Sequence, residues 1–117
     1  MNNERDDEMP ILVKWMDILE WLLPVMAGYP RKVRHTFAER IEGLLLDIFE
    51  DLISARYTRD KTPRLREINL RLERLRLLLR LSHELKYLSH NSYERAIRDI
   101  NETGRMLGGW IRQQEQR

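Results

Sequence analysis

Residues 62–89 read TPRLREINLRLERLRLLLRLSHELKYLS, and this run decides the fold. Thr62 has the character of an N-cap, and Pro63 is tolerated at a first helical position. With Leu65 placed at zero and about 100° per residue, Leu72 and Leu79 lie within about 40°. Ile68 and Leu75 lie within about 80° on the same side. That is one core-facing stripe. Leu70, Leu77, Leu81 and Leu88 fall on nearly the opposite side, with Leu78 and Leu85 beside them. A helix that is apolar on two faces is buried on two faces. Within a bundle each helix keeps one outer side, so the second face points to self-association. Packing of a central helix on both sides within one chain is the alternative.

Three more helical segments flank this one. The first starts at Met9-Pro10 and carries Ile11, Trp15, Ile18, Leu19 and Leu22 at helical spacing. Pro24 kinks or ends it, and Gly28-Tyr29-Pro30 breaks it. The second runs from about Lys32 to Tyr57, with Phe37, Ile41, Leu44, Ile48, Leu52 and Ala55 on one face. The third, residues 62–89, is followed by Asn91 as a cap, with Glu94 three residues on. The fourth then reaches about Gln114, with Tyr93, Ile97, Ile100, Gly104, Leu107 and Ile111 toward the core. Gly104 and Gly108, four apart, would admit a close helix. The expected fold is all-α: an antiparallel four-helix bundle over residues 10–117, preceded by an acidic tail, residues 1–9.

Composition narrows the function. The chain has 117 residues and no cysteine, which excludes disulfides and thiolate metal sites and suits a cytoplasmic protein. The first eight residues are acidic and polar, unlike a signal peptide, and no apolar run is long enough for a membrane span. Net charge is only +2, yet residues 1–30 carry −4 and residues 63–90 carry +4. Seventeen of the 21 cations are Arg, whose planar fork suits phosphate or carboxylate. On the third helix Arg66, Asn69, Glu73, Arg76 and Arg80 form a polar stripe between the leucine faces, while Arg64 and Arg71 border another. On the fourth, Arg98, Arg105 and Arg112 repeat every seven residues.

Catalytic patterns are missing from the sequence. No Glu precedes a His by three residues, no HExxH occurs, and Gly104, Gly108 and Gly109 lie inside a helix rather than in a phosphate loop. His83 and His90 are two turns apart on one face. Trp15, Trp21 and Trp110 sit among aliphatic residues as core or interface anchors. The expectation is a protein that is not an enzyme, with no cofactor and no metal.

Three stretches carry a resemblance. Leu75-Arg76-Leu77-Leu78-Leu79-Arg80-Leu81, Gly104-Arg105-Met106-Leu107-Gly108-Gly109-Trp110-Ile111 and Tyr29-Pro30-Arg31-Lys32 are similar to the Avd accessory proteins of diversity-generating retroelements. The resemblance spans roughly residues 10 to 115. It implies a four-helix bundle related to proteins encoded in ribosomal RNA intervening sequences, and assembly into a homopentameric barrel with a basic surface. It further implies two partners, the retroelement reverse transcriptase and its template RNA, and a role in mutagenic cDNA synthesis without catalysis. Arg76 and Arg80 match basic positions of the family's third helix. Arg105 matches the Arg of its Gly-Arg run, a position that serves either RNA contact or an interface salt bridge. The candidate RNA contacts are Arg76 and Arg80 first, then Arg64, Arg66, Arg71, Arg74 and Arg105. A ribosomal RNA intervening-sequence protein, or a purely protein-binding scaffold, is the alternative.

Overall fold

A computed structural model describes residues 9–116. The acidic tail expected over residues 1–9 lies outside them except for Met9. Four helices follow in order: α1 (Pro10–Met26), α2 (Glu39–Tyr57), α3 (Thr62–Glu84) and α4 (His90–Glu115). Packing runs α1–α2–α3–α4 and back to α1, with neighbours antiparallel, and no strand occurs among the described residues. No helix is long and apolar enough to cross a membrane.

The α3 stripe is buried as its spacing predicts: Leu65, Ile68, Leu72, Leu75 and Leu79 are all fully buried. They meet Ile41, Leu45, Ile48, Leu52 and Ala55 of α2 and Ile11, Trp15, Ile18, Leu19 and Leu22 of α1 in one core. Trp15 is wholly inside, and its indole N–H donates to the Leu45 carbonyl at 2.9 Å. Pro24 sits inside α1, which runs on for two residues past it to Met26.

Several boundaries differ from expectation, each for a local reason. The segment expected to be helical from Lys32 begins with a 3₁₀ turn, Arg31–Val33, and a π-helical turn, Arg34–Ala38. Val33 and Ala38 are both buried although they are five apart. Only the wider π turn puts residues at i and i+5 on one face. Thr62 is the first helical residue rather than the cap, and Pro63 the second; Lys61 holds the cap position. The Lys61 ammonium donates to the carbonyls of Ala55 (2.9 Å), Arg56 (3.2 Å) and Thr58 (2.6 Å), satisfying the end of α2.

α3 stops at Glu84, not Ser89. The Tyr87 N–H reaches back to the Ser82 carbonyl (2.8 Å) and the Lys86 N–H to His83 (3.0 Å), the two bonds of a Schellman motif. Lys86 occupies its left-handed position at φ 65°. Two consequences follow. Leu88 leaves the outer face and is buried at 4% exposure. Ser89, not Asn91, caps α4, accepting from the Ser92 N–H at 3.2 Å. The core face of α4 is also shifted: Ala96, Ile100, Thr103 and Leu107 are buried, while Tyr93, Ile97, Gly104 and Ile111 lie at its edges. Thr103 fits because its hydroxyl donates to the Asp99 carbonyl at 3.0 Å.

At the α1–α4 seam Asp99 accepts from Lys14 (3.3 Å) and the Trp21 indole (3.1 Å), and Lys14 also meets Glu102 at 3.1 Å. Burial alone would lower the Lys14 pKa, but Glu102 and Asp99 hold it above 10.5. Arg95 lies over the Trp21 ring at 4.2 Å.

One buried hydroxyl is left without a partner. Tyr29 packs under the α3–α4 turn, and its OH has no hydrogen bond among the described residues, while nearby Ser82 donates to the Leu78 carbonyl at 2.8 Å. Burial pushes the Tyr29 pKa above 10.0, with Ser82 acting in the opposite sense. In the unfolded chain Tyr29 ionises first, so stability falls as pH rises past about 10. Tyr29→Phe is expected to match or exceed the parent by up to about 1 kcal/mol at neutral pH, since it removes an unmade bond. It is also expected to lose less stability above pH 10. Urea unfolding at the two pH values measures both effects.

Candidate nucleic-acid interface

The outer side of α3 is apolar, as the two-faced pattern predicts. Leu70, Leu77, Leu81 and Leu85 are 46%, 54%, 42% and 45% exposed. Leu78 is half-buried against the core. Singly, exposed leucines mean little; aligned over four turns of one helix they form a ridge that water does not favour.

The seven candidate arginines surround this ridge but do not form one cluster. At the α2–α3 seam Arg71 is hydrogen-bonded to Asp51, Arg64 approaches the same carboxylate at 3.9 Å, and Glu67 lies 3.9 Å from Arg71. At the α3–α4 seam the Arg76 Nε donates to the Asn101 side chain at 2.9 Å, and its Nη1 meets Glu73 at 3.3 Å. Arg76 also explains Gly104. A Cβ there would stand 2.7 Å from the Arg76 Nη2, so the glycine leaves room for the guanidinium of the neighbouring α3 where it now lies. Arg66 reaches Glu115 at 2.5 Å, and Arg80 reaches Glu84 at 3.1 Å. Arg74 and Arg105 make no ion pair among the described residues. Arg74 lies with Arg40, Leu44, Leu77 and Leu78 around a shallow hollow. Arg105 borders an open groove of about 490 Å³ along α4 with Tyr93, Ile97, Arg98 and Asn101.

Magnitudes sort these positions. The Arg80–Glu84 and Arg66–Glu115 pairs are more than 40% exposed at both ends, and such surface pairs contribute only about 0.2–1 kcal/mol. A phosphate can displace them. Arg76 is 25% exposed and tied to a second helix, so it serves the fold as well as any ligand. The family resemblance and the helix face put Arg76 and Arg80 first; neither reads the partner across the seam. Arg40, which joins the Arg74 hollow from α2, was missed; on its own helix nothing sets it apart. Arg98 was visible in the seven-residue Arg repeat.

The histidines are closer than the sequence implied. With α3 ending at Glu84 the chain reverses, and His90 Nδ1 and His83 Nε2 are 3.2 Å apart, one donating and one accepting. His83 stacks on Tyr93 at 4.5 Å, and His90 meets Glu94 at 3.1 Å. Among the described residues no group of three or more His, Asp or Glu is placed to hold a metal.

Fold and surface together define a small four-helix protein whose outer face combines a leucine ridge with arginine. A family model described as bAvd-like matches residues 9–114, so the chain belongs to the bAvd-like family, the Avd accessory proteins. No curated protein matches it.

Proposed function

We propose that this chain is a non-catalytic, self-associating accessory protein that binds the reverse transcriptase and template RNA of a diversity-generating retroelement and so supports mutagenic cDNA synthesis. Family membership supports the role, and one observation carries the mechanism: an exposed leucine ridge on α3 flanked by arginines that are free or only loosely paired. The ridge seats a neighbouring copy, in a homopentamer as the family resemblance implies. Arg80, Arg66, Arg74 and Arg105 meet phosphates, with Arg76, Arg64 and Arg71 at the helix seams beside them. Contacts of this kind follow RNA shape more than base sequence and weaken with salt. Five copies multiply a net charge of +2 to about +10, enough to focus a field that one chain lacks. We take the protein to act in the cytoplasm, which the cysteine-free composition suits.

One observation favours a protein-only scaffold instead: Arg64, Arg66, Arg71, Arg76 and Arg80 each already face a carboxylate. Under that reading purified protein retains no RNA. Gel-shift titration with template RNA separates the two. Arg76→Ala with Arg80→Ala is expected to raise Kd by about tenfold, a few-fold per phosphate contact, while the oligomer persists. Because Arg76 also braces α4, Arg74→Ala with Arg105→Ala serves as a parallel pair that breaks no ion pair. Unchanged RNA affinity in both double variants would remove these arginines from the interface.

A further inference from the structure

From Trp21 to Ala38 the sequence contains no Asp or Glu, while Arg31, Lys32 and Arg34 fall within four residues. The fold brings a fourth cation to this stretch. The α1–α2 and α3–α4 connections share one end of the bundle, held by Tyr87 against Tyr29 (ring centroids 6.3 Å) and Phe37 (5.3 Å). Tyr29 and Val33 are buried, so the residues between them at the tip of the turn, Arg31 and Lys32, are left exposed. Lys86, directly before Tyr87, is exposed as well. Arg34 contacts the Ala27 carbonyl at 3.5 Å.

Three carboxylates near this end are engaged: Glu39 with His35 at 2.9 Å, Glu84 with Arg80 at 3.1 Å and Glu94 with His90 at 3.1 Å. Arg31, Lys32 and Lys86 make no ion pair among the described residues. Between Ala27 and Ala38 no large apolar side chain is exposed, and the one beside Lys86, Leu85, is the last residue of the α3 ridge. A protein partner ordinarily needs an apolar centre to its interface; a polyanion backbone does not.

Lys86 is the most informative of the three. It sits at φ 65°, the helix-ending position where glycine is free of strain and a side chain is not. A cation at a helix C-terminus complements the dipole, yet the Lys86 side chain is exposed and makes no ion pair among the described residues, so a residue that strains this position also leaves its ammonium open to an anion.

We infer that this end of the bundle is a second phosphate-binding surface, on which Arg31, Lys32 and Lys86 hold the sugar–phosphate backbone of RNA. It rests on the RNA-binding reading above and adds a surface apart from the α3 arginines. Because the leucine ridge runs along the side of the bundle, self-association and this contact do not compete for Arg31 and Lys32.

The test uses the full chain and a fluorescein-labelled RNA hairpin, titrated by anisotropy at several salt concentrations. Arg31→Ala/Lys32→Ala/Lys86→Ala is expected to weaken binding on the order of tenfold or more and to flatten the salt dependence by roughly two to three phosphate contacts. Lys86→Gly alone is expected to weaken binding a few-fold, roughly one contact's share, while its melting temperature stays level or rises. Arg59→Ala, at the opposite end, is expected to change neither. A triple variant with parental affinity and salt slope overturns the inference and leaves the α3 arginines standing. A triple variant that keeps RNA but loses the reverse transcriptase overturns it in favour of an acidic protein partner. A parent chain that binds no RNA overturns both readings. A lower melting temperature for Lys86→Gly would mark the lysine as structural and remove it from the site.

Discussion

Trp15→Ala is expected to lower the unfolding free energy by about 3–5 kcal/mol, the largest effect of any single substitution considered for this chain. Trp15 is fully buried in the α1 stripe, and its indole N–H is bonded to the Leu45 carbonyl. Alanine leaves a cavity that four interlocked helices cannot close, and it removes the bond that ties α1 to the middle of α2. A domain of this size has roughly 5–15 kcal/mol in all, so the variant is left marginal. Trp15→Phe keeps most of the volume and loses the bond, and a smaller loss of about 1–2 kcal/mol follows. Urea unfolding followed by far-ultraviolet circular dichroism measures both, at one fixed protein concentration because assembly couples to stability. Similar losses for Phe and Ala would mean that the bond, not the packing, dominates.

Leu77→Glu combined with Leu81→Glu is expected to act in the opposite way, leaving the fold and abolishing the assembly. In a single chain both side chains meet water, at 54% and 42% exposure, and surface substitutions of this kind stay within about 0.5 kcal/mol. In a ridge-to-neighbour interface each new carboxylate would be buried without a partner, at a cost of several kcal/mol per site. Helical content and melting behaviour at low concentration should match the parent, while the mass falls to the 14.2 kDa of one chain. A variant that keeps the parent's mass would show that neighbouring copies meet elsewhere.

What was legible in the sequence was periodicity. The inner leucines of α3 and the apolar stripes of α1 and α2 were readable because a buried stripe needs no information beyond its own helix. The exposed leucines were readable for the same reason. Chain ends were harder. Nothing near residue 86 signals a helix end, because the left-handed position is filled by lysine and not by glycine or asparagine. The error propagated: Leu88 was assigned outward, Asn91 was assigned the cap, and His83 and His90 were set two turns apart, although they touch. The expected core face of α4 followed Tyr93, Ile97, Gly104 and Ile111 and so passed over the small Ala96 and the self-satisfied Thr103. The candidate arginines were found as residues but not as a site. Whether a guanidinium is free or held depends on the facing helix, as Asp51 holds Arg71 and Asn101 holds Arg76. A single-helix reading does not contain that information.

The decisive measurement is the mass of the purified chain on a sizing column with light scattering, with and without template RNA, at low and high salt. The expected result is an assembly near five chains of 14.2 kDa, about 71 kDa, that shifts with RNA at low salt and releases it at high salt. A 14.2 kDa monomer that ignores RNA at either salt concentration would contradict both the leucine-ridge interface and the arginine contacts.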